Sequence, residues 1–175
     1  MKLLIVSDIH GSLYYTQKLL SIYHQIKPDK VLILGDVLYH GPRNKLPKGY
    51  NPHEVYELLN SISANIVAVR GNCDAEVDQT VLNFDVRQDY HPLEVDGYRF
   101  ILTHGHVNDK LPNLTNKDIV LSGHTHVYKL DKKNINPGSI SLPKVHSEHT
   151  FIIYENKEFK LYDENLNLLQ SLILE

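Results

Sequence analysis

Short apolar runs that each end in a metal- or proton-handling side chain constrain this chain more than any other feature. Val31-Leu32-Ile33-Leu34 is followed directly by Gly35 and Asp36. Four successive apolar residues between polar ones read as a central parallel strand covered on both faces; periodicity alone leaves a buried helical turn open as the alternative. Gly35 lets the backbone turn sharply or approach a ligand closely. In open α/β sheets, ligands collect beyond the carboxyl ends of the strands. Asp36 is therefore badly placed for packing and well placed for chemistry.

The same arrangement recurs along the chain. Leu3 to Val6 runs into Ser7-Asp8-Ile9-His10-Gly11, and Ile66 to Val69 into Arg70-Gly71-Asn72-Cys73-Asp74. A hairpin built from Leu93-Glu94-Val95, an Asp96-Gly97 turn and Tyr98 to Thr103 runs out into His104-Gly105-His106. Asp118 to Ser122 ends at Gly123-His124-Thr125-His126. Between these strands, Ser12 is placed to cap a helix that reaches about Ile26 and is stopped by Pro28; Leu13, Thr16, Leu19, Leu20, Tyr23 and Ile26 form its face. Asn51-Pro52-His53-Glu54 opens a second helix with Val55, Leu58, Leu59 and Ile62 on its apolar side. The first strand, helix and second strand make a β-α-β unit with a right-handed crossover. Residues 37–50 form a loop of a length usually kept for function, rich in Gly, Pro and cationic side chains. The chain is expected to close with antiparallel strands over Phe151 to Tyr154, Phe159 to Tyr162 and Leu166 to Leu172 on the far side of the sheet.

At 175 residues the chain is long enough for one domain, 1–175, with a core that needs no disulfide or metal staple. A net charge of -3 without a basic block argues against a dedicated nucleic-acid surface. Cys73 is the sole cysteine, so no intramolecular disulfide forms. The first apolar run meets Asp8 after four residues, too soon for a signal peptide or a membrane span, and a cytoplasmic location is expected. The unusual count is 11 histidines, the side chain most used as a metal ligand and as a proton carrier near neutrality.

Asp8, His10, Asp36, Asn72, His104, His124 and His126 stand at these strand ends. Each alone can be a turn residue; together they make seven oxygen, amide and imidazole donors. That is too many for one ion that also keeps a position for substrate, and it suits two divalent cations sharing Asp36. The absence of thiolate ligands favours Mn²⁺, Fe or Zn²⁺ over a closed structural zinc site. His124 and His126, two apart, face the same way if extended and address different ions if the chain bends there. Two ions about 3.5–4 Å apart suit in-line attack at phosphorus through a bridging hydroxide, which makes phosphate-ester hydrolysis the reaction class.

The order Asp8-x-His10, Gly35-Asp36, Gly71-Asn72, His104, Gly123-His124-x-His126 resembles the calcineurin-like metallophosphoesterases. Ser7 to Ser12, Leu34 to Leu38, His40 to Asn44, Val69 to Asp74 and Asn136-Pro137-Gly138-Ser139 resemble its small bacterial YfcE-type phosphodiesterases. The resemblance implies an α/β fold, an αββα four-layer sandwich of two mixed sheets flanked by helices. It implies one ion on Asp8, His10, Asp36 and His126 and a second on Asp36, Asn72, His104 and His124. Mn²⁺ is the expected metal, with Ni²⁺, Zn²⁺ or Fe as substitutes. Asn72 and Asp36 are the expected catalytic residues; His40, Arg43 and Cys73 are the expected substrate contacts. Many relatives carry histidine where Cys73 stands. A neutral thiol is a poor proton donor for an alkoxide, so diesters and aryl esters are expected to be better substrates than alkyl monoesters. The expected partner is a small phosphodiester, with self-association left open. The competing readings are a non-catalytic scaffold on the same fold, a nuclease and a cyclic-nucleotide phosphodiesterase. His106 is expected at the rim, and His24, His53, His91, His146 and His149 in surface or core roles. The Tyr14-Tyr15 pair is expected to pack a helix.

Overall fold

A computed structural model of the protein describes residues 1–144 and 147–175. The first strand, β1 (Leu3–Val6), leads into helix α1 (Leu13–Ile26), then β2 (Lys30–Ile33), helix α2 (Pro52–Asn60) and β3 (Ile66–Ala68). The second half is almost all strand: β4 (Tyr90–Val95), β5 (Tyr98–Thr103), β6 (Asp118–Leu121), β7 (Tyr128–Leu130), β8 (Asn134–Pro137), β9 (Thr150–Glu155), β10 (Glu158–Asp163) and β11 (Leu168–Ile173). Both helices start where the caps required. The Ser12 hydroxyl accepts from the Tyr15 amide, and the Asn51 side chain accepts from Glu54 with Pro52 at the first helical position. Lys27, in left-handed conformation, closes α1 just before Pro28.

Two mixed sheets result. One has the order β11-β10-β9-β1-β2-β3, the other β4-β5-β6-β8-β7. The closing strands β9 to β11 extend the first sheet from the free edge of β1, antiparallel to one another. β7 and β8 were not foreseen; each is three or four residues long and lacks a clear alternation.

The period of two along β1 and β2 sorts their side chains between two cores. Leu4, Val6, Val31 and Ile33 pack with Leu19, Leu20, Val55 and Leu59 of the helices. Leu3, Ile5, Leu32 and Leu34 pack against Phe100, Leu102, Ile119 and Leu121 of the second sheet. Phe100, Tyr154 and Phe159 fill the middle of that inter-sheet core, with ring centroids 4.7–5.5 Å apart. The result is a sandwich of two mixed sheets in which both α-helices lie on the first sheet; among the described residues the second half of the chain contributes one 3₁₀ turn, Asn108–Lys110, after β5.

The covered faces of β1 and β2 explain their continuous apolar runs, and they leave only the strand ends for polar groups. There the two parallel connections keep pairing past the strands. Asp8 N–H donates to Gly35 O, His10 N–H to Asp36 O and Gly11 N–H to Val37 O. The loop over 37–50 folds back on the same turn, with Leu13 N–H donating to Gly49 O and Asn51 N–H to Gly11 O. No helix among the described residues is long and apolar enough to cross a membrane.

Candidate metal centre

Asp8, His10, Asp36, His104 and His126 are all buried at the carboxyl ends of β1, β2, β5 and β6, while Asn72 and His124 are exposed at the rim. Burying two carboxylates and three imidazoles is costly unless they are paired or ligate a cation. The structure brings them into one cluster. His126 Nε2 is 3.2 Å from Asp8 Oδ1, and His10 Nε2 is 3.6 Å from both Asp8 Oδ1 and Asp36 Oδ2. His104 Nε2 is 3.3 Å from Asp36 Oδ2 and 3.1 Å from Asn72 Oδ1. Asp36 Oδ2 thus stands between imidazoles from two different sides, and Asp36 Oδ1 accepts from the Cys73 amide at 2.8 Å.

The hydrogen bonds behind the imidazoles fix what they present. His10 Nδ1–H donates to Tyr39 O at 2.8 Å, His104 Nδ1–H to Leu34 O at 2.6 Å and His126 Nδ1–H to Leu142 O at 2.5 Å. With those protons on Nδ1, every Nε2 turns a lone pair inward, which is how a protein orients imidazole for metal. The Nε2 atoms of His10 and His126 lie 3.3 Å apart, and Asp8 Oδ1 is buried without a hydrogen-bond partner. Acceptors facing acceptors at these distances need a cation between them. The donor set therefore fits divalent metal, and Asp8 with His10 and His126, or Asp8 with Asp36 and His104, have ligand atoms close enough to hold an ion.

Burial pulls the His104 pKa down, but the hydrogen bond to Asp36 and the charges of Asp8 and Asp36 outweigh it and raise it to about 9. Burial opposes ionisation of Asp8, yet the His10, His126 and His104 imidazoles that face it hold its carboxyl well below the usual range.

Backbone strain marks the same residues. Asp8, His10, Asp36, His124 and His126 have φ of 57°, 51°, 55°, 69° and 59°. Left-handed conformation is uncommon outside glycine and persists where the surrounding structure over-determines it. Close approach between strand ends also demands glycine: a Cβ on Gly35 would lie 2.7 Å from Gly71 Cα and 2.8 Å from His104 Nδ1.

Several supporting residues escaped sequence reading. Asp74 Oδ2 accepts from the amides of Asp36 and Gly71 at 2.8 and 2.7 Å, and its Oδ1 accepts from Val37 at 2.7 Å. This one carboxylate staples the loop after β2 to the loop after β3. Burial, reinforced by the Asp36 charge, raises its pKa to about 6. Ser139 and Ser141 hydroxyls donate to the Asp8 carbonyl at 2.9 and 2.8 Å, and Asn136 Nδ2 donates to Gly123 O at 2.8 Å. The Asn136 to Ser139 segment thereby braces two ligand loops. No local signal announces these contacts; Asp74, Asn136 and Ser139 lie within the family-like motifs, but their spacing gives them no role.

Beside the cluster lies a cavity of about 830 Å³ lined by Asp36, Asn72, His124 and His126, with Tyr39, Arg43, Cys73 and Lys144 on its walls. Cys73 is half-buried; burial and then the Asp36 charge push its thiol up to about 12. His40 does not line this cavity. Its ring stands edge-on to Tyr39 and Tyr50, with centroids 4.8 and 5.1 Å away. His106 stands edge-on to His104 at 5.4 Å. His149 stacks on Tyr15 and donates from Nδ1 to Ile140 O, and His146 lies outside the described residues.

Two mixed sheets with a crown of carboxylates and imidazoles at their strand ends define the class of metal-dependent phosphoesterases. The profile of the calcineurin-like phosphoesterase superfamily domain matches residues 1–158, and the chain belongs to that superfamily. It is 45% identical over 150 residues to phosphodiesterase YfcE of Escherichia coli K12, covering 82% of each protein. The solved structure of YfcE, described as a phosphoesterase, superposes with a TM-score of 0.93 over the whole of both chains at 38% identity. Vacuolar protein sorting 29 from Cryptosporidium parvum shares the fold, with a TM-score of 0.66 over 99% of this chain and 98% of that one at 18% identity.

Proposed function

We propose that the chain is a phosphodiester hydrolase that acts on small diesters with two divalent cations. One cation would be held by Asp8, His10, Asp36 and His126, the other by Asp36, Asn72, His104 and His124. The observation that carries this reading is Asp36 Oδ2, which faces His10 at 3.6 Å and His104 at 3.3 Å and so can serve both positions with one oxygen. Divalent cations held there supply water activation near neutral pH and charge neutralisation at the phosphoryl oxygens. The mixed oxygen and nitrogen donor set favours Mn²⁺, with Ni²⁺, Zn²⁺ or Fe as replacements.

The chain's own residues then position the ester. The Asn72 carbonyl oxygen points to His104 Nε2, and its amide nitrogen lies 3.2 Å from Cys73 Sγ on the cavity side. Its N–H groups are placed to orient a phosphoryl oxygen. Arg43 on the cavity wall offers a planar fork to an anionic group of the substrate away from the reacting phosphorus. Cys73 occupies a wall position from which a proton donor could reach the leaving oxygen, but a neutral thiol is a poorer proton donor there than an imidazolium. Substrates whose leaving group needs no proton are therefore favoured, which selects aryl diesters as probes. His40, turned to Tyr39 and Tyr50, receives no substrate role.

The test is hydrolysis of bis-p-nitrophenyl phosphate and of p-nitrophenyl phosphate by protein loaded in turn with Mn²⁺, Ni²⁺ and Zn²⁺. The expected result is chelator-sensitive turnover favouring the diester, with Cys73→His shifting the preference toward the monoester. Loaded protein without diesterase activity under any metal would leave a scaffold on the same fold.

A further inference from the structure

The cavity is larger and more cationic than a lone phosphodiester requires. Its volume of about 830 Å³ lies at the upper end for small-ligand sites. Arg43 enters from the loop after β2, and Lys144 from the segment between β8 and β9. Each is anchored next to the metal centre. The Lys144 amide donates to the carbonyl of His126 at 3.2 Å, and His126 bonds back to Leu142 O. The Gly41 to Asn44 turn is braced by Asn44 Nδ2 donating to His40 O at 2.8 Å.

Neither cation has an anionic partner within the cavity. Among the described residues that line it, the acids are Asp36 and Asp74. Asp36 is committed to the centre, and both Asp74 oxygens are taken by three backbone amides. Arg43 and Lys144 make no ion pair among the described residues, and both are exposed. Two divalent cations against Asp8 and Asp36 already outweigh the single negative charge of a diester. Two further cations on the walls ask for a further anion, and two positive charges suit a dianion better than a carboxylate. Tyr39, 43% exposed, lines the same cavity.

We infer that the substrate is a phosphodiester that carries a second, terminal phosphate on the alcohol retained after cleavage, held between Arg43 and Lys144. This rests on the diesterase reading above and deepens it. The probes are the p-nitrophenyl ester of thymidine 5′-monophosphate and the same ester bearing a 3′-phosphate, which differ only in the second anion. Turnover of the first tests the diesterase reading by itself; the ratio of kcat/KM tests the subsite. The expected ratio is about tenfold or more in favour of the phosphorylated ester, the size of one to two charge-assisted hydrogen bonds. It should arise in KM, fall with salt, and drop toward one in Arg43→Gln and Lys144→Gln. Calorimetry gives a readout independent of turnover: metal-loaded protein should bind thymidine 3′,5′-bisphosphate about tenfold more tightly than thymidine 5′-monophosphate. Equal kcat/KM for the two esters, equal affinity for the two nucleotides, or a ratio unmoved by both variants would overturn the assignment.

Discussion

The two ends of the sandwich use the same backbone conformation for different reasons. At the hairpin end, Asp96, Gly97, Asn156 and Lys157 have φ of 52°, 89°, 52° and 62° in the tight turns before β5 and between β9 and β10. Such turns demand positive φ, and three of the four are Gly, Asn or Asp, which tolerate it. The turns lie at the surface, and a Cβ on Gly97 would meet nothing within 4 Å. At the site end, five candidate ligands take the left-handed region with three histidines among them, and four of the five are buried. No turn type calls for histidine there. The conformation is imposed by Asp74, Ser139, Ser141 and the paired loops, and it aims carboxylate and imidazole atoms at common points. One end satisfies its turns locally; the other stores strain to assemble a site.

That contrast can be broken by substitution. The largest effect is expected from Gly71→Ala, because the added Cβ would land on the Asp36 backbone nitrogen and carboxylate. Chemical denaturation should show a loss of about 3 kcal/mol or more, together with weakened metal binding. A stable variant with unchanged metal affinity would mean that the two strand ends are not held at contact distance.

The next effect is a pH dependence confined to the site end. His104 in the metal-free protein has a pKa raised from 6.5 to about 9 by its buried carboxylate neighbours, against the pull of burial itself. A raised folded-state value gives stability that is complete below about 6.5 and is lost as pH rises through about 9. Metal-free protein should lose on the order of 2 kcal/mol across that window, seen as a falling Tm. Metal loading should flatten the profile, because a ligated Nε2 no longer takes up the proton. A metal-free profile that is flat or rises would contradict the cluster's electrostatics.

Smallest is the change at the hairpin end. Gly97→Ala introduces a side chain at φ +89° into open space, so it should cost about 1 kcal/mol from backbone strain alone. Metal content and turnover should stay at wild-type values. A change in either would couple the two ends.

Much of the frame was legible along the chain because β1 and β2 are buried on both faces, β3 is largely buried, and all three end abruptly in polar residues. Their runs at Leu3, Val31 and Ile66, and the capped starts at Ser12 and Asn51, are local signals, and the elements formed there. The seven strand-end donors could be named for the same reason. β7 and β8 were not legible, since three- and four-residue strands carry too few positions to show a period. Asp74, Ser139, Ser141 and Lys144 reach the site across tens of residues of chain, through contacts that no spacing encodes. The placement of His40 was likewise a matter of packing: its ring turns to Tyr50, ten residues on, instead of to the cavity.

If Asp36 Oδ2 serves both metal positions, as proposed, removing its charge should cost metal and turnover together. Elemental analysis of wild-type and Asp36→Asn proteins, each loaded with Mn²⁺ and assayed on the same aryl diester, tests it directly. The wild type should hold two ions per chain. The variant should lose at least one of them and about a thousandfold or more in turnover, as for removal of a group that stabilises transition-state charge. An Asp36→Asn protein that keeps two ions and full activity would contradict it.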